Sequence, residues 1–127
     1  MAALCEEMGR ALGPGPYFSS VLLAGALIDA CATPEQKTRL LTPIAEGTAR
    51  ATLAILERTA SWDPAAVVMT AAGNTLTGEK LFVVDAFTAA TIIVVANISA
   101  GLAIFAVDAK APGVAIRETK SLDITRP

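Results

Sequence analysis

A run of 22 residues without a charge, Ala86 to Val107, limits the folds open to this chain more than any other feature. A run of this length meets the hydropathy criterion for a membrane-spanning helix. Its composition favours consecutive strands instead, because the β-branched residues of Ile92 to Val95 fit a pleated surface and are poor helix formers. The run is also interrupted by Asn97 to Gly101, a sequence typical of a turn.

The neighbouring sequence extends the same pattern. Apolar runs rich in Val, Ile and Phe recur from Thr77 to Asp108 and predict successive antiparallel strands. Upstream of them, Gly73-Asn74 is typical of a two-residue hairpin. We therefore favour a sheet over a membrane helix and predict no membrane span. Asn97-Ile98-Ser99 matches a glycosylation sequon, and we interpret it as part of the turn.

The first part of the chain carries helical patterns. Three helices are predicted, over residues 2–12, over residues 17–31, and from Thr33 to Gly47. The second has almost no polar face, so it is expected to be buried on all sides. The third has the clearest start, because Thr33 and Gln36 form a capping-box sequence.

After Gly47 the period changes, and about six short strands are predicted in residues 48–127. The expected fold class is therefore α+β, with about three helices followed by an antiparallel, barrel-like sheet. Between Pro64 and Val107 the only charged residues are Glu79, Lys80 and Asp85. A sheet this apolar should be covered by another part of the polypeptide or by a partner.

Residue types exclude several functions. The chain has no His, which removes the commonest general base and the commonest metal ligand, and four ligands for zinc cannot be assembled. A net charge of −2 without a basic patch argues against nucleic-acid binding. The carboxylates of Glu57, Asp63, Glu79 and Asp85 are scattered along the sequence and are predicted to be solvated.

The cysteines and the N-terminus indicate a compartment. Cys5 and Cys31 lack a Cys-x-x-Cys partner and are expected to be buried small apolar residues in a reducing environment. Glu6 and Glu7 interrupt the first apolar residues, unlike a signal peptide. A cytoplasmic location is therefore predicted.

Four short motifs follow one another along the chain. Glu6 to Leu12 is similar to an "EE-x-GR" helix, and Thr33 to Gly47 is similar to a "T/S-x-E-Q-K" helix ending in "L-P-x-L-A-x-G". Leu76 to Val83 is similar to "L-x-G-x-K-x-F/W-V/I", and Pro112 to Val114 to a "PGV" turn. Together, in this order and spacing, they resemble a central section of the acyl-CoA dehydrogenase family. The resemblance implies the end of an N-terminal helical domain in residues 1–47 and most of a middle β-domain in residues 48–127.

The resemblance implies a flavoenzyme of fatty acid or lipid metabolism. Members bind FAD and oxidise an acyl-CoA to the 2,3-enoyl-CoA: a carboxylate base takes a proton from Cα while hydride passes from Cβ to the flavin. The base and the C-terminal helical bundle are expected beyond Pro127, so no catalytic residue is assigned and this chain alone is expected to be inactive. The implied partners are the acyl-CoA, other dehydrogenase subunits in a homo- or hetero-oligomer, and an electron-transfer flavoprotein.

The resemblance also implies which residues face the flavin. Two strands of the middle β-domain would supply apolar walls and backbone N–H groups, three residues coming from the first strand and two from the second. The candidate cofactor-binding residues are Leu53, Ile55, Leu56, Phe82 and Val84. The alternative is that these five side chains are ordinary sheet core.

The chain departs from the family pattern at its flavin-contacting hydroxyls. The family loop Thr/Ser-Glu-Pro-x-x-Gly-Ser-Asp corresponds here to residues 56–63, where Leu56 replaces the hydroxyl residue and Arg58 replaces Pro. A second Thr/Ser position holds Val84. Ser61 keeps part of the pattern and is the candidate substrate-binding residue. These losses leave an alternative function open, that of a non-catalytic structural subunit of a heteromeric dehydrogenase that holds no FAD itself.

Overall fold

Helices precede a five-stranded sheet in the structure, a computed structural model that describes residues 2–13 and 15–119. The helices are α1 (Ala2–Arg10), a π-helix (Tyr17–Gly25) that continues directly into α2 (Ala26–Cys31), and α3 (Pro34–Ala45). The strands are β1 (Ala51–Ala54), β2 (Thr70–Ala72), β3 (Thr75–Thr77), β4 (Thr91–Ile98) and β5 (Gly101–Asp108). The α+β class is therefore confirmed. Residues 120–127 of the predicted β-domain lie outside the described residues.

Helix α3 begins at the predicted capping box. The Thr33 hydroxyl accepts a hydrogen bond from the Gln36 N–H (3.3 Å), and the Gln36 side chain accepts one from the Thr33 N–H (2.9 Å). Two donors that have no partner within the helix are thereby satisfied. The helix ends at Ala45, and Gly47 follows with a φ of +71°, a left-handed conformation that glycine adopts without strain.

The predicted helix over residues 17–31 forms in two parts. Its first nine residues are π-helical, and a Cβ on Gly25 would lie 3.0 Å from the Ser20 carbonyl oxygen, so glycine suits the wider turn. The helix buries one face only, through residues that include Ala24 and Ile28, and Phe18 is 44% exposed. The prediction that it is buried on all sides is therefore wrong, because only one side of it meets the sheet.

Strand β4 is the centre of the sheet. On one edge it pairs in parallel with β1, from Ala51 opposite Thr91 to Ala54 opposite Val94, and further along with β2 at Asn97. On its other edge it pairs with β5 in antiparallel fashion over all eight residues. The predicted Gly73-Asn74 hairpin joins β2 to β3. The sheet is thus mixed rather than wholly antiparallel, and within the described residues it is open rather than closed into a barrel.

The uncharged run forms β4 and β5, joined at Ser99-Ala100. The turn is shorter than predicted, because Ile98 still pairs with Gly101. Other predicted strands do not form: the described backbone is irregular from Gly78 to Asp85 and from Val114 to Arg117. None of the helices in residues 2–13 and 15–119 has the length and apolar character needed to cross a bilayer.

Alternate side chains of β4 enter two different cores, as the two-residue period of a strand requires. Ile93 packs with Ala51, Ala24 and Ile28 between the sheet and the helices. On the opposite face, the core consists of Ala54, Met69, Ile92, Val94 and Ala96, with Leu76, Val83 and Phe105 packed against it. The helices therefore cover one face of the sheet, and the irregular segment that contains Val83 covers the other.

Some apolar groups remain exposed. Leu102 and Ile104 of β5 are each 42% exposed, on the same sheet face as Ile93. Cys5 and Cys31 are also exposed, so the prediction that they are buried is wrong. The reason is that α1 buries none of its residues, while Cys31 lies at the exposed end of α2.

Candidate functional site

The structure brings the two predicted flavin-facing segments side by side. The Leu81 N–H donates to the Leu56 carbonyl (2.9 Å), and the Lys80 ammonium donates to the Ile55 carbonyl (3.2 Å). Further along, the buried Thr52 hydroxyl donates to the Val84 carbonyl (2.6 Å). The chain leaving β1 and the chain from Lys80 to Val84 therefore run next to each other.

The five candidate cofactor-binding side chains differ in their surroundings. Leu53 packs into the core between the sheet and the helices, as the core alternative predicts. Ile55, Leu56 and Val84 are half-buried, whereas Phe82 is 60% exposed. Of the five, Phe82 has the side chain most open to a ligand, and Leu53 is the one that packs with the helix-side core.

Phe82 has a strained backbone. Its φ is +55°, a left-handed conformation that costs a residue with a Cβ about 1–2 kcal/mol. Asp85 is also left-handed, with a φ of +58°, and its carboxylate lies 2.5 Å from the hydroxyl of the fully buried Ser19. Strained residues persist where neighbouring structure over-determines them, often at ligand sites. The exposed ring of Phe82 is therefore an apolar surface held in place at an energetic cost.

A buried ion pair lies beneath these segments. The side chains of Glu57 and Lys80 are only 6% and 5% exposed, and the Lys80 Nζ lies 2.7 Å from the Glu57 Oε1. The Glu57 carboxylate also accepts hydrogen bonds from the backbone N–H groups of Val68 (2.9 Å) and Met69 (3.0 Å). The prediction that Glu57 is solvated is wrong, because the chain folds back after Ala60 and covers it. Lys80 within an apolar stretch was the sequence signal for a buried partner.

The environment of Glu57 favours its ionised form. Burial raises the pKa of the carboxyl group, but the hydrogen bond from the Lys80 ammonium and the two backbone N–H donors together lower it by more. The net pKa lies below the ordinary glutamate value. Glu57 is therefore a carboxylate at neutral pH, already engaged by its partners.

This lowered pKa predicts a pH dependence of stability. A carboxyl group with a lowered folded-state pKa stabilises the fold fully above its unfolded-state pKa, about 4.3, and the contribution is lost as the pH falls through the folded-state value. We expect the stability difference between wild type and Glu57→Gln to shrink as the pH is lowered from 6 toward 3. The stability difference is measured from the urea unfolding midpoints of both proteins across about that pH range. A difference that stays constant would contradict the ionised pair.

Ser61 belongs to a separate local structure. Its hydroxyl accepts a hydrogen bond from the Asp63 N–H (3.1 Å), and the Asp63 carboxylate accepts one from the Ala65 N–H (2.9 Å) at the start of a 3₁₀ turn, Pro64–Ala66. Within the described residues, no hydrogen bond joins Ser61 to the two candidate segments. The substrate-contact prediction for Ser61 stays a prediction.

Outside the two candidate segments, the part of the chain that the structure describes has a cavity but no metal centre. A shallow cavity of about 510 Å³ lies where α3 faces the ends of β4 and β5; it is lined by Arg39, Leu40, Ala90, Thr91, Ala106, Asp108 and Lys110. None of these is a predicted site residue. Across residues 2–13 and 15–119, no group of His, Cys, Asp or Glu could hold a metal ion.

The similarity of this chain to known proteins is found among solved structures. No protein-family model and no curated protein sequence matches the chain. Solved structures do match. A chain of the ChsE4-ChsE5 complex from Mycobacterium tuberculosis is 28% identical with a TM-score of 0.72. The matched region is 87% of this chain and 30% of that solved chain. The Tcur3481-Tcur3483 steroid ACAD is 32% identical with a TM-score of 0.69, covering 85% of this chain and 30% of its own.

A third matching structure is that of an acyl-CoA dehydrogenase. Glutaryl-CoA dehydrogenase from Mycobacterium smegmatis is 29% identical with a TM-score of 0.70, covering 78% of this chain and 27% of its own. A glutaryl-CoA dehydrogenase from Mycobacterium smegmatis has also been solved in complex with FADH2. The chain thus spans under a third of the length of these solved chains. The resemblance to the acyl-CoA dehydrogenase family is therefore confirmed, and the chain is similar to one section of these solved chains.

Proposed function

We propose that this chain contributes flavin and acyl-CoA binding to an FAD-dependent acyl-CoA dehydrogenase. The observation that carries the proposal is the exposed ring of Phe82, on a left-handed backbone, beside the chain that leaves β1. The complex of glutaryl-CoA dehydrogenase with FADH2 supports FAD as the cofactor. FAD, when bound, supplies the hydride acceptor for oxidation of the acyl-CoA to the 2,3-enoyl-CoA.

The residues fit the flavin ring as an apolar wall. In this proposal Phe82 lies against the isoalloxazine, and the half-buried side chains of Ile55, Leu56 and Val84 exclude water from its edge. Leu53 supports the wall from the helix side of the sheet, where it packs with the core between the sheet and the helices. The wall supplies no side-chain hydroxyl, so any hydrogen bond from the wall to the ring would come from its backbone groups.

Residues 1–47 and 48–127 are proposed to be the end of an N-terminal helical domain and part of a middle β-domain. Glu57 is not proposed as the catalytic base, because it is buried and already engaged by Lys80. The family resemblance places the proposed base outside the chain. Proposed partners are the acyl-CoA substrate, further dehydrogenase subunits and an electron-transfer flavoprotein, and the proposed compartment is the cytoplasm.

A second candidate function is that of a structural subunit without its own FAD. Leu56 and Val84 favour it, because they stand where the family carries flavin-contacting hydroxyls. The likeness to a chain of the ChsE4-ChsE5 complex is compatible with a place in a heteromeric assembly.

Flavin retention separates the two candidates. The complete natural polypeptide that contains this chain is purified under native conditions, and released flavin is quantified by absorbance after denaturation. The dehydrogenase proposal expects about one flavin per active site. Absence of flavin, both as isolated and after incubation with FAD, would support the structural subunit.

Restoring the two hydroxyls should tighten flavin binding. A net hydrogen bond contributes about 1 kcal/mol, so Leu56→Thr combined with Val84→Thr should lower the flavin Kd by about five- to thirty-fold. Leu56→Val is the matched control, because Val has the shape of Thr without its hydroxyl, and it should not tighten binding. Titration of each apoprotein with FAD, followed by flavin fluorescence, measures the flavin Kd of the double variant and of the control. Equal affinities in the two variants would show that these side chains do not face the flavin.

A further inference from the structure

We propose that Glu57 and Lys80 are positioning residues, which hold the two flavin-facing segments in the register that places Phe82 against its ligand. This inference rests on the proposed function, and it concerns side chains that do not touch the flavin in that proposal. Its basis is the hydrogen-bond pattern around the buried pair and the strained backbone that follows it.

The pair fastens the two segments directly. The Lys80 ammonium reaches across to two groups of the chain leaving β1, the Ile55 carbonyl (3.2 Å) and the Glu57 carboxylate (2.7 Å). Between these contacts, the Leu81 N–H donates to the Leu56 carbonyl (2.9 Å). Three consecutive residues of one segment are thus bonded to two consecutive residues of the other, which leaves no freedom to slip by one position.

The same pair is anchored to the centre of the sheet. The Glu57 carboxylate accepts the Met69 N–H (3.0 Å), and the Met69 carbonyl accepts the Asn97 N–H of β4 (2.8 Å). Met69 also sets the approach of the second segment, because a Cβ on Gly78 would lie 2.9 Å from the Met69 side chain. Two independent contacts with Met69 therefore fix the position of Lys80 relative to β4.

The energetics favour a positioning role over simple stabilisation. The desolvation of two charges offsets most of their attraction, so a buried pair adds little net stability compared with an apolar pair of similar volume. The pair provides directional contacts instead, because its two charged groups make four hydrogen bonds. Phe82 follows two residues after Lys80 with a left-handed φ of +55°, which persists only while its neighbours hold it.

The test separates positioning from stability with two variants of the complete natural polypeptide. Lys80→Met removes the ammonium and leaves the Glu57 carboxylate buried without its counter-charge. Glu57→Gln/Lys80→Met removes both charges, while the Gln carbonyl still accepts from one of the two backbone N–H groups, so part of the lost stability returns. Neither variant can make the bond from Lys80 to the Ile55 carbonyl.

Two readouts are followed, the flavin Kd and amide hydrogen exchange of the segment around Leu81, whose N–H donates to the Leu56 carbonyl. We expect both variants to bind FAD about tenfold or more weakly than wild type and to exchange faster at these amides. The partial recovery of stability in the double variant should not restore either readout. Ile93→Val, a mild change in the core on the helix side, is the control and should leave both unchanged.

Two results would overturn the proposal. One is a double variant whose flavin affinity and local exchange recover in step with its unfolding midpoint, since the pair would then act through stability alone. The other is unchanged local exchange in both variants. If wild type binds no flavin, the proposed dehydrogenase function fails, and hydrogen exchange still decides whether the pair holds the two segments in register.

Discussion

Replacing Lys80 with Met is expected to lower the free energy of unfolding by about 3–5 kcal/mol. The substitution removes the counter-charge of a carboxylate that is only 6% exposed, and it leaves the Ile55 carbonyl without the ammonium that donates to it. Breaking one side of a buried pair is costly because the remaining charge stays desolvated without compensation. Urea unfolding at neutral pH, followed by circular dichroism, measures the change.

The controls for this prediction use the same residue types. Lys110→Met changes an exposed lysine and should alter the free energy of unfolding by less than about 0.5 kcal/mol. Glu57→Gln/Lys80→Met should be less destabilised than Lys80→Met, because the uncompensated charge is gone. A loss of under about 1 kcal/mol for Lys80→Met would contradict the buried pair.

Local features of the fold could be predicted from the sequence because their causes are local. The Thr33–Gln36 capping box, the Gly73-Asn74 hairpin and the division of the uncharged run into β4 and β5 each depend on residues within a few positions of one another. The same holds for the α+β class, which follows from the order of helical and strand patterns. In each case neighbouring residues decide the backbone conformation.

The pairings between distant strands could not be predicted in this way. The two-residue period shows which side chains share a face, but it does not show that β1 lies parallel to β4 with Leu53 opposite Ile93. Nor does it show the irregular course of residues 78–85, whose Val, Phe and Leu suggested a strand. There Phe82 turns the chain with a left-handed backbone that its residue type does not signal.

The candidate site followed from the family resemblance rather than from the pattern of residues. The resemblance placed Leu56 and Phe82 on neighbouring segments, and the structure joins those segments through the bond between Leu81 and Leu56. It did not reveal that Glu57 is buried, because burial there depends on a loop that returns eleven residues later at Val68. A carboxylate in a polar loop sequence is solvated unless tertiary contacts cover it, and those contacts are not local.

Ile93→Ala is the second substitution with a large expected effect. Ile93 is 1% exposed at the centre of β4, flanked by β1 on one edge and β5 on the other, and it packs against the helices with Ala24 and Ile28. Truncating a fully buried Ile removes its transfer free energy and leaves a cavity, so we expect a loss of about 2–5 kcal/mol. The free energy of unfolding in urea is the quantity to measure.

Ile104→Ala is the matched control, since Ile104 is the same residue type on the same sheet face but lies on β5, where it is 42% exposed. Its truncation forms no enclosed cavity, so the expected loss is about 1 kcal/mol or less. A clear difference between the two variants would show that the helices cover the sheet at β4 and stop short of β5. Equal losses in the complete natural polypeptide would contradict the exposure of Ile104, and would indicate that a further part of the protein, or a partner subunit, packs against β5.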